Sequence, residues 1–227
     1  MVVVKRNDFI EIEFTGKIKD SSEVFDTNIK SEIEKSKINV KAKPYIVSVG
    51  HGMAIAGLDK DFEGKEVGKE YSVELTPEEA FGKRDPSMVK MIPIKLFLAQ
   101  KIMPQKGMQL SLDGMAVKVI SVSGGRVLVD FNNPLSGKTV VYNYTIKRQL
   151  DDIKEKIDSV QEFFLRKKFD FEIKNNEIVF KVEAPVVKFI EMMSKPFEDI
   201  LGMKVKTETI KTTTNSIPSQ KAEEKKE

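Results

Sequence analysis

The sequence predicts an α+β protein built from separate units, and three observations carry that prediction. Period-two alternation of apolar and polar residues marks strands near the start of the chain and again around residue 140. Residues 83–135, lying between those strands, carry a hairpin signal of their own, which marks an inserted domain. Residues 151–206 then mix helical and strand periodicity afresh, as a third unit would.

Taken in order, Asp8 to Phe14 alternates, with Phe9, Glu11 and Glu13 on one face and Ile10, Ile12 and Phe14 on the other. Thr15-Gly16 then allows a bend into a second short strand. Residues 28–43 are polar and read as a surface insertion with one helical turn, Ser31 and Glu34 being spaced as a capping box. Pro44 opens a further strand. Ile55, Leu58, Asp59 and Phe62 recur at helical spacing, so 55–62 is expected to be a short helix behind the Gly50/Gly52 turn. Lys69 to Leu75 alternates, and Thr76 before Pro77-Glu78-Glu79 reads as an N-cap with proline at the first helical position.

Strands are expected at 115–122 and 126–131, joined by Ser123-Gly124-Gly125, and a long one at 139–150 that belongs with the first sheet. In the third unit, Ile153, Ile157, Val160, Phe163 and Phe164 mark a helix and 170–182 a hairpin. Pro185 to Leu201 reads as one amphipathic helix stopped by Gly202, and Lys204 to Thr212 as a strand. The polar tail at 213–227 is expected to be disordered.

Composition narrows the chemistry. Of 227 residues, 38 are basic and 35 acidic, a near balance that argues against a nucleic-acid partner. There is no cysteine and a single histidine, His51, read as a flank of the glycine turn. Disulfides, thiol nucleophiles and His/Cys metal centres are excluded, and neither cofactor nor metal is expected. The opening MVVVKRND is too short for a signal-peptide core and no stretch is apolar enough to span a membrane, so a soluble, cytoplasmic protein is expected.

Several motifs, taken together, resemble the FKBP-type peptidyl-prolyl cis-trans isomerases: EFTGKI, VFDTN, the block PYIVSVGHGMAIAGLDKDFEGKEVG, and VELTPEEAFGKRDP. The insertion after AFG resembles that of the SlyD-like branch, in which an insert-in-flap domain replaces the tip of the flap. The extra C-terminal unit looks like that of long-chain archaeal members. The resemblance implies an antiparallel sheet wrapped around a short helix (1–82 plus 136–150), a β-rich insert domain (83–135) and a C-terminal α+β domain (151–212).

It also implies a pocket. Asp26, Phe14, Tyr142 and Phe81 would act on the substrate, with Phe25, Tyr45, Ala54, Ile55 and Leu58 binding it. Phe14 and Phe81 stand where tyrosine is common in the family, and Leu58 where tryptophan is. From the residues alone, Asp26 is either the orienting charge or a turn residue before Thr27-Asn28. The tail IPSQKAEEKKE lacks the His and Cys of metal-binding bacterial tails, so that role does not carry over.

Five of the ten methionines fall in 83–135. Methionine suits promiscuous binding surfaces, so Met88, Met91, Ile92, Phe97, Leu98, Met103 and Met108 are expected to form a chaperone surface. Some of this apolar area must fill the insert's own core. Partners would be unfolded or partly folded polypeptides with X–Pro bonds. Seven of the 14 phenylalanines lie between 163 and 197, and a unit this small gains from self-association, so a homodimer through 151–212 is expected. The competing readings are a non-enzymatic holdase on an isomerase fold and an adaptor docking one partner through 151–212.

Overall fold

The computed structural model describes residues 2–112 and 114–210; the tail expected to be disordered, 213–227, lies outside the described residues. The chain divides at Asp151/Asp152 into two units.

In chain order the first unit contains β1 (Phe9–Ile18), β2 (Val24–Thr27), α1 (Lys30–Ser36), β3 (Tyr45–Ser48), α2 (Ala56–Asp61) and β4 (Glu70–Leu75). An inserted lobe follows with β5 (Val89–Pro93), α3 (Ile94–Ala99), β6 (Gln109–Leu112), β7 (Met115–Ser123) and β8 (Arg126–Asp130). The chain then returns through β9 (Val140–Gln149). The main sheet runs β2-β1-β9-β4, with β3 also paired to β1, and every pairing is antiparallel. Ile10, Ile12 and Phe14 of β1 are buried as the alternation predicts, sharing the core with Val47, Leu58, Phe62, Tyr144 and Ile146. On the opposite face Glu11 pairs with Arg148 and Glu13 with Lys147 across the β1–β9 ladder.

Two local expectations for the first unit are corrected. The chain does not bend at Thr15-Gly16: β1 continues to Ile18, with a register shift against β2 at Gly16/Lys17. Glycine is needed there because a Cβ would stand 2.7 Å from Phe25 Cζ and 3.1 Å from Tyr142 Cε1. Nor do Ser31 and Glu34 cap a helix. Ile29 is the N-cap of α1 and has no side-chain cap. Its N–H is already held by the Thr27 hydroxyl at 3.1 Å, which starts the helix before Ser31.

The lobe is a four-stranded antiparallel sheet in the order β5-β8-β7-β6, closed by α3 over a core of Phe97, Val117, Val119, Val127 and Val129. Its hairpin turns at Gly124 and Gly125, both at positive φ as the sequence predicts. Helix α3 and strands β5 and β6 were not expected from the irregular apolar pattern at 89–112.

The second unit contains α4 (Ile153–Phe164), β10 (Phe171–Lys174), β11 (Glu177–Val182), α5 (Ala184–Met192), α6 (Ser194–Leu201) and β12 (Lys204–Thr209). Strand β11 lies between an antiparallel β10 and a parallel β12. Asn175 and Asn176 turn the hairpin with positive φ, a conformation asparagine tolerates better than most residues. The single helix expected over 185–201 is two. A continuous helix would put Pro196 in its interior, against the carbonyl of Met192; the break at Met193 moves that proline into the first turn of α6, where it costs little. Phe180, Phe197, Ile157, Val160 and Ile190 form the buried core.

Candidate active site

Four strands and one loop bring five aromatic rings into file. Tyr45 of β3 meets Phe14 of β1 at 5.3 Å between centroids, and Phe14 meets Tyr142 of β9 at 5.9 Å. Tyr142 then meets Phe25 of β2 at 5.7 Å, and Phe25 meets Phe81 at 5.6 Å, both edge-to-face. Phe14 and Tyr142 are almost fully buried, whereas Phe25, Tyr45 and Phe81 are half-buried, so the file has an open side. Ala54 and Ile55, beside the N-terminus of α2, are half-buried; Leu58, one turn into α2, is buried.

The backbone around these rings is held by side chains that the sequence did not single out. Asn28 accepts the Phe14 N–H through Oδ1 and donates from Nδ2 to the Ile12 carbonyl, both at 2.8 Å. The Thr27 hydroxyl donates to the Phe14 carbonyl at 2.7 Å. Together they clamp the VFDTN segment to β1, so that Phe25 and Asp26 keep a fixed position beside Phe14. Asp59 is buried, and its two carboxylate oxygens accept the N–H groups of Gly50 and Gly52, each at 2.9 Å. It thereby shapes the glycine turn that leads to Met53, Ala54 and Ile55. Tyr45 donates its hydroxyl to the Met53 carbonyl at 2.8 Å, tying β3 to the same loop. Gly57 lets α2 approach closely: a Cβ there would stand 2.6 Å from Leu75 Cδ2 and 2.9 Å from Glu79 Cβ. His51 bonds Asn7 Oδ1 at 2.8 Å and is half-buried.

Phe81 is delivered by a one-turn 3-10 helix, Pro77–Glu79, whose N-cap is Thr76 as expected, with Glu79 adding the return bond of a capping box. Gly82, at φ 78°, then folds back to donate to the Pro77 carbonyl. The neck of the lobe is pinned here. Gly137 N–H donates to the Gly82 carbonyl at 2.8 Å, and Asp85 and Asn132 exchange two hydrogen bonds at 2.8 and 2.9 Å.

The electrostatics are those of a half-buried site with one carboxylate. Burial pushes the Asp26 carboxyl above its ordinary range, partly offset by the Thr27 N–H that it accepts. Burial pushes the Tyr142 phenol well above its usual value, with the nearby charge of Asp26 and then Tyr45 adding to the shift. Among the described residues no group of three or more His, Cys, Asp or Glu side chains is placed to hold a metal ion. No described helix is long and apolar enough to cross a membrane.

On the lobe, Met91, Leu98, Met103 and Met108 are exposed, Met103 the most at 69%. Met88 and Ile92 are half-buried. Phe97 does not belong with them. At 3% exposure it is the central ring of the lobe's own core, because α3 turns it inward onto β7 and β8. Leu96 and Met115 of the same lobe are exposed as well, at 58% and 47%.

The first unit thus combines an antiparallel sheet, a file of aromatic rings and a lobe inserted beyond Phe81, and the comparisons give the class: a peptidyl-prolyl isomerase. A family model described as FKBP-type peptidyl-prolyl cis-trans isomerase matches residues 2–95, and one described as FKBP26, IF domain, matches residues 90–135. The chain is 31% identical over 148 residues to the short-type peptidyl-prolyl cis-trans isomerase of Methanocaldococcus jannaschii, a match covering 64% of this chain and 92% of that protein. It is 32% identical over 130 residues to SlyD of Aeromonas hydrophila and 30% over 101 residues to SlyD of Escherichia coli. Those matches cover 56% and 43% of this chain and 56% and 51% of the SlyD proteins, about half their length. The chain belongs to the FKBP-type peptidyl-prolyl cis-trans isomerases, as a SlyD-like member with an insert-in-flap domain.

Proposed function

We propose that the ring file from Tyr45 to Phe81 is the site at which this enzyme isomerises X–Pro bonds, and that the insert lobe holds extended client chain for it. The observation that carries the reading is the unbroken aromatic contact of five rings around one half-buried carboxylate.

The chemistry needs no nucleophile. The X–Pro amide resists rotation with a barrier of roughly 18–20 kcal/mol. Twisting breaks its resonance and reduces the charge separation between oxygen and nitrogen. An apolar pocket therefore disfavours the twisted state less than water does. Phe14, Phe25, Phe81 and Tyr142 grip the prolyl ring, with Tyr45, Ala54 and Leu58 completing the walls. Ile55, the N-cap of α2, offers its N–H to the substrate carbonyl; among the described residues that N–H has no partner. Asp26 orients the twisting bond by its charge in a medium where charges act strongly.

Residues 83–135 act as the chaperone domain through Met88, Met91, Ile92, Leu98, Met103 and Met108, raising the local concentration of prolyl bonds at the pocket. Residues 1–82 plus 136–150 form the isomerase domain, and 151–212 a C-terminal domain that joins two copies of the chain. The test compares two substrates, a short prolyl tetrapeptide and a protein whose refolding is limited by a prolyl bond. The enzyme is expected to accelerate both. A Phe97→Ala chain, its lobe destabilised, is expected to keep the tetrapeptide rate and lose most of the refolding rate. Unchanged refolding by that variant would contradict the role of the lobe. No tetrapeptide rate from the unaltered chain, with aggregation of the client still suppressed, would leave a holdase.

A further inference from the structure

A groove of about 880 Å³ lies between the main sheet and the lobe, and Phe25, the ring that joins Tyr142 to Phe81, forms part of its wall. Phe25 thus belongs both to the ring file and to the wall of this groove. Its charged lining is uneven. Arg84 and Asp130 satisfy one another at 2.5 Å. Among the described residues, what remains in the lining is Lys106, Lys118 and Lys138 against Glu23. The three lysines come from separate places: the loop before β6, strand β7, and the crossing that returns to β9. All three are exposed, and among the described residues none is in an ion pair.

We infer that this groove takes the client chain flanking the prolyl bond, and that Lys106, Lys118 and Lys138 select acidic residues there. The inference rests on the reading of the ring file as the isomerase pocket. A concave surface lined by one sign of charge raises the local concentration of the opposite sign beyond what isolated surface pairs do. Each exposed pair contributes little by itself, so the combined preference is about tenfold. The contacts lie away from the twisting bond and are the same in planar and twisted states. They act as uniform binding and appear in KM rather than kcat.

The experiment uses the full chain and three peptides with one prolyl core, flanked on both sides by aspartate, serine or lysine. For the unaltered enzyme the aspartate peptide is expected to have a KM about tenfold below that of the lysine peptide, with kcat alike and the gap closing as salt is raised. In a Lys106→Glu/Lys118→Glu/Lys138→Glu chain the order is expected to reverse. That reversal is a gain on the lysine peptide, which a misfolded variant would not show. Equal KM values in the unaltered enzyme, or the same order in the variant, would overturn the inference. No turnover of any of the three peptides would instead overturn the pocket on which it rests.

Discussion

The residues of the pocket divide by how they could be read. Phe14, Phe25, Tyr45, Phe81 and Tyr142 sit in short motifs whose joint order pointed to one site, and all five meet. Thr27, Asn28 and Asp59 gave no such signal, because they act through hydrogen bonds to backbone groups distant in the chain, and no local pattern encodes those. Gly16 was misread for a related reason: its small size answers two rings brought over it by β2 and β9, not a turn in its own strand. Asp26 carries the prediction at this scale. Its folded-state carboxyl titrates above its unfolded value, so between those two values the native state holds the extra proton, and above them Asp26 is charged in both states. Asp26 therefore costs stability as pH rises past the ordinary carboxylate range, and the cost is complete above the raised value. An Asp26→Asn chain is expected to melt higher than the unaltered protein near neutrality, with the gain vanishing in acid. Its kcat/KM is expected to fall roughly a hundredfold, as when one oriented polar group is removed from a reacting bond. Thermal melts at the two pH values and tetrapeptide kinetics check both halves.

At the scale of elements, strong alternation and glycine turns were legible. Strands β1, β3, β4, β7, β8 and β9 stand where the pattern predicts them. Segments whose burial is decided by a small lobe were not: Ile94–Ala99 is a short apolar run that periodicity cannot assign to strand or helix. The same ambiguity put Phe97 on the surface when α3 turns it into the core. Truncating a buried phenylalanine costs about 3–5 kcal/mol. A lobe built on five fully buried side chains has little reserve beyond that. Phe97→Ala is therefore expected to unfold the lobe while the main sheet, with its own core, stays folded. Amide exchange that becomes fast across β5 to β8 and stays slow across β1 and β9 would show this directly.

At the scale of the whole molecule, the chain divides at Asp151/Asp152, close to where helical periodicity restarts in the sequence. What the second unit does was not readable, since its apolar residues serve its core and its surface alike. Phe180 and Phe197 are fully buried, whereas Phe189 and Met192, one turn apart on α5, are 40% and 72% exposed. That outward apolar face supports the proposed homodimer, as isolated units this small gain from burying it. Light scattering is expected to give twice the chain mass, falling to the monomer in a Phe189→Glu/Met192→Glu chain. A monomeric mass for the unaltered protein would remove the dimer.

The central claim is that one aromatic pocket with one carboxylate performs the isomerisation. Its most direct measurement is the cis–trans rate of a short prolyl tetrapeptide, too small to engage the lobe, with the unaltered chain and with an Asp26→Ala/Tyr142→Ala chain. A clear acceleration that collapses in the double variant, while its fold is retained, is the predicted result. An acceleration that survives the double variant would place the chemistry elsewhere and contradict the account.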